Sequence, residues 1–223
     1  MQNEIIKPKR ASSLRQNKKN VLILNLDCVQ LNKILMINHN NFYSNIMVNN
    51  QKIKPLNYYM VINNSNFPVE ITYSENISDH EILYDPYLFE NSEKKILDPN
   101  DFLEKYSVPE GYLDILAKWY SIKFSYNDHN LIFIKSGLGI SIQTHKDRSE
   151  EWTIIAGRPI VINIDRVHYF VENGSKFSTP NNSFHSVINP SKKQDEYVII
   201  KETWSGNFNE NDIQRIFNPN NYY

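Results

Sequence analysis

The sequence contains a single cysteine, Cys28. One thiol excludes an internal disulfide and argues against a cysteine zinc cluster, and it fits a reducing compartment, so a cytoplasmic location is expected. No apolar run approaches the roughly 20 residues that cross a bilayer. The first 20 residues hold no apolar leader segment, so no membrane association is expected. Charge is nearly balanced, with a net value of −1, which gives no general attraction to nucleic acid or to an anionic membrane. Glycine is scarce, 6 residues of 223, and the first 110 residues contain no glycine-rich phosphate loop.

What is present suits one substantial domain or two small ones. Hydrophobic residues make up 40% of the chain and aromatic residues 13%, enough to bury a sizeable core. Residues 1–19 are polar and basic, with Lys7, Lys9, Arg10, Arg15, Lys18 and Lys19, and read as a flexible tail. From 20 to about 74, short β-rich runs at 21–24, 34–37, 45–48, 58–62 and 69–73 alternate with asparagine-rich breaks. Asparagine tolerates left-handed backbone, so these breaks read as tight turns and the region as antiparallel β. Asp98 followed by Pro99 offers a helix start running to about Tyr106. Tyr112, Leu113, Leu116 and Trp119 sit at helical spacing and predict a second short helix. Beyond Lys123 the pattern returns to strands, at 131–134, 139–144, 152–155, 160–164, 168–171, 177–179, 183–188 and 197–202. Evenly spaced turns between eight short strands predict a sandwich or jelly roll. One or two helical turns are expected at 209–216.

The chemistry concentrates in the stretch from Gly137 to Gly157. Residues two apart in a strand share a face, so Gln143 and His145 point the same way. Glu150 follows a turn and can return to that face, and a third segment with Gly174 and Pro180 brings His185. An amide oxygen, two imidazoles and a carboxylate converging on one point form an N/O donor set suited to a borderline divalent ion such as zinc.

The spacing Gly137, Gln143, His145, Glu150, Gly157 resembles the first cupin motif. Gly174, Pro180, His185, Asn189 resembles the second, with Asn182 where the family usually has glycine. The runs Ser141-Ile142-Gln143-Thr144-His145 and Arg148-Ser149-Glu150-Glu151-Trp152 resemble the type II mannose-6-phosphate isomerase domain. The tail from Gly206 through Asp212 and Ile213 to Arg215 is similar to that family's ending. The family's closing Tyr-Gly-Arg is replaced by Asn218-Pro219-Asn220-Asn221-Tyr222-Tyr223. The guanylyltransferase domain that often precedes this cupin is not expected in so short a chain.

The resemblance implies a mainly β fold: a cupin jelly-roll barrel with an N-terminal β-rich extension and a few short helices. The division is 1–19 tail, 20–110 β-rich region and 111–223 cupin domain. The β-rich region can be read as a degenerate first cupin, as extra strands on the same sandwich, or as a dimer surface. The implied activity is isomerisation of mannose 6-phosphate to fructose 6-phosphate through an enediol, in the service of nucleotide-sugar synthesis. Zinc or another divalent metal would bind Gln143, His145, Glu150 and His185. Arg215 and Glu150 are the catalytic candidates, and Arg148 and Lys146 the phosphate-binding ones. The proton-transferring base stays open among a metal-bound hydroxide, Glu150 and a histidine. Expected partners are a small sugar phosphate and a second copy of the chain in a homodimer, with no nucleic acid. Competing readings are a non-catalytic cupin that holds a sugar or nucleotide sugar, and another metal-dependent cupin enzyme such as an oxygenase.

Overall fold

The computed structural model describes residues 1–207 and 212–221. The chain is mainly antiparallel β and divides into two compact units, Met1–Pro86 with Ile164–Val167, and Tyr87–Asn163 with His168–Tyr223. Among the described residues no helix is long and apolar enough to cross a membrane.

The first unit contains β1 (Gln2–Ile6), β2 (Leu14–Gln16), β3 (Leu22–Asp27), β4 (Ile34–Asn38), β5 (Asn41–Tyr43), β6 (Asn50–Ile53), β7 (Tyr58–Asn63), β8 (Val69–Tyr73) and β9 (Glu81–Tyr84). One sheet has the order β1-β8-β3-β6, and the run β5-β4-β7-β2-β9 forms the other. β3 alternates strictly: Leu22, Leu24 and Leu26 are buried while Ile23, Asn25 and Asp27 face out. That period-2 pattern puts one face of the sheet into a core, where Val69, Ile71 and Tyr73 meet Ile34, Met36, Tyr59 and Val61. The basic start is not a flexible tail. β1 pairs with β8 from Gln2↔Tyr73 to Ile6↔Val69, and β2 pairs with β7 and β9. Lys7, Lys9, Lys18 and Lys19 are exposed and Arg10 and Arg15 half-buried, while Ile6, Ala11 and Leu14 are buried, a pattern that composition alone obscures. The unit boundary accordingly falls after Pro86 rather than near 110.

The second unit begins with α1 (Pro99–Lys105), where the Asp98 carboxylate accepts from the backbone N–H groups of Asn100 and Asp101. β10 (Asp114–Ala117), β11 (Ser121–Ser125), β12 (Asn130–Ile134), β13 (Ile142–His145), β14 (Arg148–Ala156), β15 (Ile160–Asn163), β16 (Arg166–His168), β17 (Lys176–Thr179), β18 (His185–Ile188), β19 (Val198–Gly206) and β20 (Ile213–Phe217) follow. Of β16, only His168 belongs to this unit. The helix expected around Tyr112–Trp119 is instead β10, antiparallel to β11 from Asp114↔Ser125 to Ala117↔Ile122. Gly111 at φ +91° follows Pro109 and breaks any helical start, and β11 supplies a strand partner that overrides the helical spacing. The expected C-terminal helical turn is strand β20 over 213–217; its first residues, 209–211, lie outside the described residues.

A six-stranded sheet, β10-β11-β12-β19-β14-β17, faces the run β20-β13-β18-β15. Between them lie Ile132, Ile134, Trp152, Ile154, Val161, Val187, Val198 and Ile200. β12 is buried on both faces: Ile132 and Ile134 enter this core, while Leu131 and Phe133 turn to a second one beneath α1. There the Phe102 ring stacks on Tyr106 at 4.6 Å and meets Phe133 edge-on at 5.0 Å. That aromatic pad anchors the helix and backs the sheet that carries β14 and β19.

Candidate metal centre

Strand alternation builds the site. On β14 the inward positions are Arg148, Glu150, Trp152 and Ile154, so the polar pair lies at the barrel mouth and the apolar pair closes the floor. β13 brings Gln143 and His145, and β18 places His185 directly opposite Gln143. The Trp152 ring stands edge-on to His185 at 5.0 Å and walls the site off from the core. Asn182, at φ +60°, makes the left-handed turn before β18, and its N–H donates to the His145 carbonyl at 2.6 Å. Asparagine therefore serves where the cupin motif usually has glycine.

His145, Glu150 and His185 are all buried, and their donor atoms lie within 4.8 Å of one another. His145 Nε2 is 3.0 Å from Glu150 Oε1, and His185 Nε2 is 3.5 Å from Glu150 Oε2. His185 Nδ1 sits 3.1 Å from the Ser183 carbonyl. A carbonyl only accepts, so Nδ1 carries the hydrogen and the Nε2 lone pair faces the cluster. Gln143 Nε2 lies 3.4 Å from that Nε2, and its Oε1 accepts from Ser141 Oγ at 2.8 Å. The two amide orientations differ only by a half-turn, and the other one aims the oxygen at the cluster. Glu150 Oε2 has no hydrogen-bond partner among the described residues. Two imidazoles, a carboxylate with an unspent oxygen and an amide, on three strands, fit a divalent ion.

Arg148 shares this space. Its Nε donates to Glu150 Oε1 at 2.8 Å, and its Nη2 lies 3.3 Å from His145 Nε2. Burial works to raise the Glu150 pKa, but the hydrogen bond from His145, the nearby His185 and the Arg148 guanidinium outweigh it and hold the carboxyl down at about 2. Burial depresses His185 to about 4, with Glu150 acting in the opposite direction.

The other expected site residues are dispersed. Arg215, on β20, pairs with Gln143 and lines the same pocket as Gln143 and Arg148. Lys146 is exposed and is not part of that lining. Its backbone N–H, with that of Asp147, donates to the Asp212 carboxylate at 2.9 and 3.0 Å, which ties the tail to the ligand loop. Sequence reasoning missed Asp212 and also Glu202. Glu202 is buried on the same pocket wall, accepting from Asn130 Nδ2 at 2.8 Å and Trp152 Nε1 at 3.1 Å. Burial and the Glu150 charge push its pKa up to about 7, against the pull of Asn130, Lys123 and Trp152. Its signal was legible: an acid at an inward position of β19 in register with Val198 and Ile200.

A curled β barrel with this donor cluster on its inner face defines the second unit as a cupin. Residues 117–218, a little under half of the chain, match the family described as "Mannose-6-phosphate isomerase C-terminal". The "Alginate biosynthesis protein AlgA" of Pseudomonas aeruginosa is 34% identical over 86 residues, which span 38% of this chain and 17% of that protein. Among solved structures, the capsular polysaccharide assembling protein CapF of Staphylococcus aureus matches 52% of this chain and 34% of its own, at 13% identity and TM-score 0.40. A point mutant of Bacillus subtilis oxalate decarboxylase OxdC matches 92% and 70%, at 10% identity and TM-score 0.35. Both structural likenesses are too distant to bear on function.

Proposed function

We propose that the cupin unit is a metal-dependent sugar-phosphate isomerase, interconverting mannose 6-phosphate and fructose 6-phosphate through an enediol. The observation that carries this reading is a cationic pocket that the donor cluster borders through Gln143. Gln143, Arg148, Lys118, Lys123 and Arg215 are among its lining residues. Gln143, His145, Glu150 and His185 would hold zinc or another divalent ion. Such an ion supplies a Lewis acid beside the substrate oxygens. Arg215 presents a fixed cation where enediolate charge develops. Lys118 and Lys123 replace Lys146 as the side chains that meet the phosphate, and Arg148 orients Glu150. The pocket binds the open-chain sugar and shields it from bulk water, which strengthens these charge interactions. Alginate biosynthesis, the role named for the curated relative, is a glycan pathway and agrees with supply of a nucleotide-sugar precursor. A cytoplasmic location, in keeping with the free thiol of Cys28, and a homodimer belong to the same reading. Light scattering on the purified chain checks the second.

One observation favours a different reading. The Arg148 guanidinium lies against ligand atoms of both Glu150 and His145, so an internal cation can neutralise the cluster. A barrel neutralised in this way would hold a sugar or nucleotide sugar without turnover. A coupled isomerase assay with added zinc, run on the wild type and on His185→Ala, separates the two. The isomerase reading expects activity lost in the variant. Sugar-phosphate binding without turnover in the zinc-loaded wild type selects the binding module.

A further inference from the structure

Enediol chemistry needs a group that removes a proton from carbon and returns it to the neighbouring carbon. The metal-ligand set is poorly placed for this. Glu150 Oε1 is shared between Arg148 and His145, and Oε2 points at His185. His185 has committed Nδ1–H to Ser183 and turns Nε2 into the cluster. One carboxylate on the pocket wall is outside that set. Glu202 sits on β19 opposite Trp152, diagonal to Glu150 on the same face, and shares the pocket lining with Gln143, Arg148 and Arg215.

Resting on the isomerase reading above, we propose that Glu202 is the catalytic base that carries the substrate proton between C2 and C1. Its orientation is fixed from behind by two donors on separate strands, Asn130 Nδ2 to Oε1 at 2.8 Å and Trp152 Nε1 to Oε2 at 3.1 Å. Each carboxylate oxygen has a second lone pair beyond the one so used. Both donors belong to rigid, buried side chains, so the carboxylate is held still, as a proton shuttle requires. In the open-chain aldose the C2–H bond breaks and its proton passes to Glu202. The electron pair forms the C1=C2 double bond, and the carbonyl π pair moves onto O1. The O2 hydroxyl proton passes to O1, the C2–O2 bond becomes the carbonyl, and C1 takes the proton back from Glu202. No atom or electron is gained or lost. The cationic lining, Lys123 and Arg215 with Arg148 behind, compensates the transient charge.

The test follows isotope as well as turnover. The zinc-loaded wild type is incubated in heavy water with mannose 6-phosphate, and deuterium entering at C2 of the aldose and C1 of the ketose is read by NMR, beside kcat and KM. In Glu202→Gln, deuterium entry and kcat are expected to fall about 100-fold or more, while KM and zinc binding stay within about threefold. A merely structural carboxylate would instead disturb KM and metal binding together. Should Glu202→Gln fail to fold, Glu202→Asp, which keeps the charge but withdraws it by one methylene, decides: exchange reduced at least tenfold in a folded protein supports the assignment. Exchange at the wild-type rate in either variant overturns the role of Glu202 and leaves the isomerase reading standing. A wild type that moves no C2 hydrogen overturns both.

Discussion

Glu150 and Arg148 form a buried ion pair inside the metal cluster, and its strength is open to measurement without metal. Their side chains are 1% and 3% exposed, with Nε 2.8 Å from Oε1. A carboxyl held at about 2 rather than 4.5 is favoured in its charged form by roughly 3 kcal/mol in the folded state. Removing one member of a buried pair costs about 3–5 kcal/mol, because the other is left without compensation. The two magnitudes agree. Glu150→Gln leaves the guanidinium with the more distant carboxylate of Asp212, 3.8 Å from Nη1. Arg148→Met leaves the carboxylate with the two imidazoles. Each single variant should lose roughly 2–4 kcal/mol, and the double variant less than the sum, giving a coupling energy of at least about 1.5 kcal/mol. The assay is urea unfolding in the presence of a chelator, followed by tryptophan fluorescence. Trp119, Trp152 and Trp204 all lie in the second unit, so the signal reports the barrel alone. Additive single effects, or singles within about 0.5 kcal/mol of wild type, would refute the reasoning.

Three further outcomes are expected. His185, depressed to about 4, contributes stability that is full above pH 6.5 and lost as pH falls toward 4. Glu202, raised to about 7, contributes stability that is full below pH 4.5 and lost as pH rises toward 7. The two oppose each other between 4.5 and 6.5, each by roughly 3 kcal/mol, so metal-free Glu202→Gln should gain stability with pH more steeply than the wild type in denaturant titrations across that window. Gly206 sits at φ +100°, and a Cβ there would lie 2.6 Å from the Asp147 carbonyl oxygen. Gly206→Ala should therefore cost about 1–3 kcal/mol, displace the loop before Arg148 and weaken divalent-ion binding, read by thermal melts and calorimetry. Asp212→Ala removes the acceptor for the Lys146 and Asp147 amides, and hydrogen exchange at those two amides should speed up while the β12 amides stay protected.

The site was more legible than the scaffold around it. Gln143, His145, Glu150 and His185 could be read because strand alternation and turn residues are local properties, and the structure brings the three titratable side chains together within 4.8 Å. Asp98 and Pro99 marked α1 for the same reason. What failed depended on distant partners. β1 and β2 looked like a solvated tail because their basic residues dominate the composition, while the strands that pair with them lie far along the chain, at Val69–Tyr73 and Tyr58–Asn63. Tyr112 to Trp119 looked helical because the sequence does not announce that β11 needs an edge partner. Lys146 is exposed next to His145, and its backbone N–H donates to the Asp212 carboxylate. Glu202 carried a visible signal, an acid in an apolar register, whose meaning depended on Asn130 and Trp152 being close enough to hold it.

The central claim is that four side chains on three strands form one metal site. Calorimetric titration of the chelator-treated chain with zinc, with elemental analysis of the dialysed complex, tests it most directly. One ion should bind per chain in the wild type, weaken at least 10-fold in Gln143→Ala, and be lost in His185→Ala and in Glu150→Gln. Undiminished zinc binding in His185→Ala, or none in the wild type, would contradict it.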